Sequence, residues 1–69
     1  MDYSGTFPFG WLRGFQNDNW QILWDKNSGN LFIKSAAGSK VKLLSTFTNW
    51  KDAKHFSDRI IADTSLLEK

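Results

Sequence analysis

Residues 47–53 constrain the fold of this chain most, because their pattern predicts a strand that turns directly into a helix. Val41 and Leu43 lead into this stretch at alternate positions, as expected for the buried face of a strand. Asn49 stands where a helix N-cap belongs. Asp52, three residues later, completes a capping-box pair at the positive end of the helix dipole.

The predicted helix occupies residues 49–63, with its regular part running from about Trp50 to about Ala62. At helical periodicity, its apolar side chains gather on one side, together with Ser57. Two endings remain open: Thr64 can terminate the helix, or Leu66 and the residue after it can extend it.

Three short runs upstream have the composition of strands, at residues 20–24, 31–34 and 40–47. Loops with turn-forming residues separate them at 25–30 and 35–39. The predicted fold class is therefore α+β, with a three-stranded antiparallel sheet packed against one C-terminal helix. A further edge strand around residues 14–16 is an open alternative.

Residues 1–14 are predicted to be an irregular segment, because Pro8 and Gly10 oppose a long regular element. This segment is rich in aromatic side chains, and we expect it to lie against the sheet. The 69 residues then form one domain, with the irregular segment at 1–14, the sheet at 15–47 and the helix at 49–63.

Strand alternation divides the predicted sheet into two faces. The face expected to receive the helix carries Trp20, Ile22, Trp24, Leu31, Ile33, Val41, Leu43 and Phe47. The outer face carries Gln21, Leu23, Phe32, Lys34, Lys42, Leu44 and Thr46. Its apolar members, Leu23, Phe32 and Leu44, are either covered by the N-terminal aromatics or form a patch that binds a protein partner.

The residue types needed for catalysis are scarce. The sequence has no cysteine and one histidine, His55, on the predicted solvent side of the helix. We expect a non-enzymatic protein without cofactor, metal or small-molecule substrate. No apolar run is long enough to cross a membrane, and the first residues lack the basic start of a signal peptide. These patterns predict an intracellular, cytoplasmic protein without membrane contact.

Aromatic and basic residues alternate along the predicted sheet. A net charge of +2 and a pI near 9.2 are compatible with an anionic partner. Lysines and Arg13 could neutralise phosphates, while rings stack on bases. The other interpretation is that the rings form the core and the lysines a solvated rim. Trp11 and Trp20 border irregular segments and are the tryptophans expected to be partly exposed.

The segment Leu-Ser-Thr-Phe-Thr-Asn-Trp-Lys-Asp-Ala at residues 44–53, together with Arg13-Gly14-Phe15 and Trp20, resembles a known DNA-binding signature. It is similar to the plant ethylene-response-type domain and to the arm-binding domains of phage and transposon integrases, over residues 13–63. The resemblance implies a three-stranded sheet, backed by one helix, that reads the DNA major groove with strand side chains. Ser45 stands where those families have glycine.

Two functions follow from these observations. In the first, the chain binds DNA, through Arg13 and Trp20 by resemblance and through Lys34 and Lys42 by their predicted face. In the second, it is a protein-interaction or regulatory module that uses Leu23, Phe32 and Leu44. A small structural subunit of a larger assembly is a further alternative. Strong salt dependence of binding would favour the first function.

Overall fold

A computed structural model describes residues 5–37 and 40–67 of the chain. Its elements are the strands β1 (Thr6–Phe15), β2 (Asp18–Asp25), β3 (Asn30–Ser35) and β4 (Val41–Thr46), the helix α1 (Trp50–Ala62) and a 3-10 helix (Thr64–Leu67). In this part of the chain, the strands form one antiparallel sheet in the order β1-β2-β3-β4. The α+β class with an antiparallel sheet and one following α-helix is confirmed. The predicted number of strands was wrong, since the sheet has four.

The additional strand is β1, which occupies most of the segment predicted to be irregular. Pro8 fits because β1 is an edge strand, where a missing N–H breaks no ladder hydrogen bond. Register shifts after Pro8 and after Leu12 bend the strand, and Gly10 (φ 138°) and Gly14 (φ 74°) supply the backbone angles that these irregularities need. The part of the predicted segment before Gly5 lies outside the described residues.

The turn between β1 and β2 consists of Gln16 and Asn17, whose φ angles are 50° and 62°. Two consecutive positive φ angles are typical of the type I′ turn, which matches the twist of paired strands. Phe15 and Asp18 face each other across it. The suggested edge strand at 14–16 therefore exists up to Phe15, as the end of a much longer strand.

The two hairpin loops predicted from turn-forming residues join β2 to β3 and β3 to β4. In the first, Gly29 (φ 80°) donates its N–H to the carbonyl oxygen of Asp25 at 2.7 Å. A Cβ at this position would lie 2.6 Å from the carbonyl oxygen of Phe47, so glycine is required. In the second, the N–H of Ser35 donates to the carbonyl oxygen of Lys40 at 2.9 Å. Residues 38 and 39 of this loop lie outside the described residues.

Helix α1 has the predicted bounds, and the predicted N-cap at Asn49 and its pairing with Asp52 are confirmed. The Asn49 side chain accepts a hydrogen bond from the Asp52 N–H at 2.9 Å and donates to the Asp52 carboxylate at 2.9 Å. The helix ends at Ala62, and Asp63 donates its N–H to the Arg59 carbonyl oxygen at 3.0 Å. The chain then continues as the separate 3-10 helix, so α1 ends before Thr64, and Leu66 and Leu67 do not extend it.

The core lies between α1 and one face of the sheet, called here the helix face. Its buried apolar residues are Leu12, Phe15, Trp20, Ile22, Trp24, Leu31, Ile33, Ala53 and Ile60. Ser57 is also fully buried, with its hydroxyl donating to the Ala53 carbonyl oxygen at 2.8 Å. This bond lets a polar residue occupy the apolar side of the helix.

The face assignment predicted for β4 was wrong, because the strand contains a bulge. Leu31 lies opposite Ser45, whereas the next residue of β3, Phe32, lies opposite Leu43. The extra residue in β4 is Leu44, which packs partly buried against the core. Across the bulge, the alternation of side chains is inverted, as expected when one strand contributes an additional residue.

Because of this inversion, Val41, Lys42 and Leu43 each lie on the face of the sheet opposite to the predicted one. Val41 and Leu43, predicted to be buried, are 53% and 60% exposed. Lys42, predicted on the outer face, lies opposite the buried Ile33. Its ammonium nitrogen is 5.8 Å from the ring centroid of Phe15 and covers this edge of the core.

Among the described residues, Phe7 and Phe9 do not cover the outer face in the way that one alternative predicted, and Tyr3 lies outside the described residues. Phe7 stacks on Trp24 at a centroid distance of 6.0 Å, and Phe9 meets the ring of Trp50 edge-on at 5.6 Å. Both contacts are on the helix side, because Trp24 belongs to the core and Trp50 to α1. Trp11 is the exception among the aromatics of β1, and lies on the other side.

Candidate functional site

The sheet face directed away from α1, called here the open face, is the candidate site. Strand register places its side chains in two rows. One row is Pro8, Leu23, Phe32 and Leu43, and the other is Trp11, Gln21, Lys34 and Val41. Both described helices pack on the helix face, through Ala53 and Ile60 of α1 and through Leu66 and Leu67 of the 3-10 helix. The open face is therefore the sheet surface that remains available to a partner.

Trp11 stands between two depressions of the open face. The first, about 290 Å³ in volume, is lined by Trp11, Arg13, Asn19 and Ala36. The second, about 190 Å³, is lined by Trp11, Gln21, Lys34, Ser35 and Ala36. Each depression thus combines the indole with one cationic side chain and one amide side chain. We call Trp11, Arg13, Asn19, Gln21 and Lys34 the Trp11 cluster.

Backbone pairing fixes the positions within this cluster. Trp11 lies directly opposite Gln21, and Gln21 lies directly opposite Lys34, so the three side chains follow one line across three strands. Trp11 is 43% exposed, and its ring is available for contact from solvent. An exposed indole of this size is large enough to dominate the binding energy of a small interface.

Asn19 joins the end of β1 to the cluster. Its side-chain oxygen accepts a hydrogen bond from the Gly14 N–H at 3.1 Å, and its carbonyl oxygen accepts one from Ala36 at 2.8 Å. Since the amide oxygen is used within the fold, the NH₂ group is the part of this side chain that can donate to a ligand.

Charge is distributed unequally along the described part of the sequence. Sequence positions 6–46, which contain the sheet, hold five lysine or arginine residues and two aspartates, Asp18 and Asp25. Positions 47–67 hold three cationic and three acidic residues. Among the described residues, no carboxylate lines either depression beside Trp11. Asp18 lines the adjoining depression with Gly14, Asn17 and Asn19. These described surroundings of Trp11 favour an anionic ligand.

The four residues predicted to contact DNA separate into two pairs. Arg13 and Lys34 both belong to the Trp11 cluster. Trp20, by contrast, is only 4% exposed, and its indole nitrogen donates to the Phe15 carbonyl oxygen at 2.8 Å. The prediction that Trp20 is partly exposed was wrong, and the same prediction for Trp11 is confirmed. Lys42 lies on the helix face, so Lys34 and Lys42 do not share a surface.

The three residues predicted to form an apolar patch are separated as well. Leu23 and Phe32 are neighbours on the open face, where Leu23 is only 7% exposed and Phe32 is half-buried. Leu44 packs against the core on the helix side. The large exposed apolar side chains of the open face are instead Trp11 of β1 and, on β4, Val41 and Leu43.

The sequence-based list of contacts did not include Trp11, Asn19 and Gln21. Their proximity depends on the pairing of β1 with β2, and the predicted sheet lacked most of β1. The signal that could have revealed it is the Gln16-Asn17 pair, since asparagine tolerates the positive φ angle of a hairpin turn.

Two further groups of ionisable side chains lie away from the open face, one after the end of α1 and one along its surface. The pKa of Asp63 is lowered because its carboxylate accepts hydrogen bonds from the hydroxyl and the N–H of Ser65. This pair follows α1 and belongs to its C-terminal capping region. His55 lines a shallow surface depression on α1. Among residues 5–37 and 40–67, no group of three or more His, Cys, Asp or Glu side chains could hold a metal ion.

The chain was also compared with known proteins. No family model, curated protein or solved structure matched it. Within the described residues, no helix has the length and apolar character needed to cross a membrane. The likeness to ethylene-response-type and integrase arm-binding domains stays a prediction, and function must be inferred from the side chains of the open face.

Proposed function

We propose that this chain is a non-enzymatic DNA-binding module that contacts its ligand through the Trp11 cluster. The observation that supports this function best is the exposed indole of Trp11 between two depressions, each with one cation and one amide. Arg13 and Lys34 are the cations, and Asn19 and Gln21 are the amides.

These residue types match the chemical groups of a nucleic acid. Arg13 and Lys34 neutralise phosphates, and the arginine fork can hold two phosphate oxygens at once. Asn19 and Gln21 can hydrogen-bond to base edges, which present both donors and acceptors. Trp11 supplies a flat apolar surface for a base or a sugar.

The unequal charge distribution determines which part of the molecule attracts an anionic ligand. The half of the sequence that contains the sheet has an excess of cations, whereas the half that contains α1 has equal numbers of cationic and acidic residues. A polyanion is therefore attracted to the sheet rather than to the helix.

A protein partner is the second candidate, and the exposure of Val41 and Leu43 favours it. Both side chains belong to β4, the strand at one edge of the sheet. Binding through these apolar groups would change little with salt, whereas binding through Arg13 and Lys34 would weaken steeply.

The test is a titration of fluorescently labelled mixed-sequence DNA at about 50 and about 200 mM salt. We expect binding that weakens strongly at the higher concentration. Lys34→Gln and Arg13→Gln should each reduce the affinity and lower the slope of log K against log salt by about 0.7–0.9.

Lys42→Gln and Arg59→Gln are the matched controls, because they remove the same charges from the helix face and from α1. All four variants should retain the circular dichroism spectrum of the parent. If the controls weaken binding as much as Lys34→Gln does, binding follows net charge alone, and the assigned surface is wrong. An absence of binding at low salt would refute DNA binding itself.

A further inference from the structure

We propose that the preferred ligand of the Trp11 cluster is single-stranded nucleic acid, with an unpaired base stacked on the Trp11 ring. This inference rests on the proposed function and specifies the form of the nucleic acid. It depends on the shape of the open face around Trp11, on the position of β1 at the edge of the sheet, and on the placement of the two cations.

The shape of the site favours a flexible ligand that enters the two depressions. It disfavours a duplex, whose groove has to be entered by a protruding part of the protein. A major groove about 12 Å wide is read by protein elements that protrude into it. Around Trp11, by contrast, the surface is recessed on two sides, by about 290 Å³ and about 190 Å³. The bases of a duplex expose only their edges, so their ring faces cannot reach the indole unless they are unpaired.

The two depressions share one aromatic ring. Trp11 lines both of them, on two sides of the same part of the sheet surface. This arrangement suits consecutive flat groups of a chain-like ligand, placed on either side of one ring.

The placement of the cations suits the backbone that connects such groups. Arg13 lines one depression and Lys34 lines the other, so each base site has its own positive charge. Trp11 and Arg13 belong to β1, an edge strand, so this part of the cluster lies at the side of the sheet, where a flexible phosphate chain can pass. Charge complementarity and ring stacking thus act on the same strand of nucleic acid.

The experiment compares three ligands of equal length, about 15 nucleotides, within the range that small single-strand-binding domains occupy. They are oligothymidylate, a mixed-sequence duplex, and an abasic oligonucleotide that keeps the phosphates but lacks the bases. We expect oligothymidylate to bind at least about fivefold more tightly than the other two, because stacking of one base contributes about 1–3 kcal/mol. Trp11→Ala should weaken oligothymidylate binding by about 5- to 150-fold and leave abasic binding almost unchanged.

Tryptophan fluorescence identifies the stacking ring directly. Trp20 and Trp24 are each 4% exposed, whereas Trp11 and Trp50 are 43% and 47% exposed. Trp11→Phe should abolish the quenching caused by oligothymidylate while keeping part of the affinity, since a ring remains. Trp50→Phe is the matched control, and should keep both the quenching and the affinity, because Trp50 lies on α1.

The possible outcomes distinguish the single-strand inference from the proposed DNA-binding function. Equal or tighter binding of the duplex, equal binding of the abasic ligand, or quenching that persists in Trp11→Phe would overturn the single-strand inference. DNA binding that still depends on Arg13 and Lys34 would then stand. Failure of all three ligands at low salt would overturn both. If Trp11→Ala does not fold, the ligand comparison on the parent and the fluorescence of Trp11→Phe still decide the matter.

Discussion

The two faces of the central strands β2 and β3 differ in how far the rest of the molecule covers them. On the helix face, Ile22, Leu31 and Ile33 are completely buried beneath α1 and the aromatic side chains of β1. On the open face, Gln21 and Lys34 remain half-exposed beside Trp11. The same two strands thus stabilise the fold with one set of side chains and present a candidate site with the other. Substitutions on the two faces should therefore have separable effects.

The largest expected effect is a loss of stability on the helix face. Leu31→Ala, at a fully buried position, should lower the free energy of unfolding by about 2–5 kcal/mol, because it leaves a cavity in the core. Leu43→Ala, the same change at a position 60% exposed on the open face, should stay within about 0.5 kcal/mol. Urea unfolding of both variants measures the difference. Similar losses would contradict the assignment of Leu43 to the open face.

A smaller loss of stability is expected at the beginning of α1, the helix that covers only one face of the sheet. Asn49→Ala removes the acceptor for the Asp52 N–H and should lower the free energy of unfolding by about 0.5–2 kcal/mol. Asn49→Ser retains a capping oxygen without a charge next to Asp52 and should recover most of this loss. Thermal unfolding followed by circular dichroism measures both. If alanine is tolerated as well as serine, the cap does not contribute to holding α1 in place.

The smallest effect concerns the lysine that lies on the helix face. Lys42→Gln removes the ammonium group near the Phe15 ring and should lower the free energy of unfolding by about 0.5–1 kcal/mol. Lys40→Gln, at an exposed position just before β4, should leave stability unchanged. Lys42→Arg should retain the parent value. Equal stability of Lys42→Gln and Lys40→Gln would show that the ring contact contributes nothing.

The features that sequence predicted well are those with local causes. The bounds of α1 follow from Asn49 and Asp52, whose capping bonds span three residues. The buried residues of β2 and β3 follow from simple alternation, which no bulge interrupts between these two strands. For the same reason Lys34 was correctly placed on the outer face.

The features that sequence missed depend on pairing between strands. Pro8 and Gly10 oppose a strand by local rules, but an edge position and a bulge accommodate them in β1. In β4, the bulge at Leu44 inverts the faces of Val41, Lys42 and Leu43, and composition alone does not place it. Both errors affect the site: one concealed Trp11 beside Gln21, and the other placed Lys42 on the wrong surface.

The order of the strands also bears on how the chain folds. Every strand pairs with its neighbour in the sequence, and such local contacts form rapidly. The sheet can therefore form before α1 packs on it. Until α1 packs, the apolar helix face is exposed to solvent, where it can associate with other incompletely folded chains.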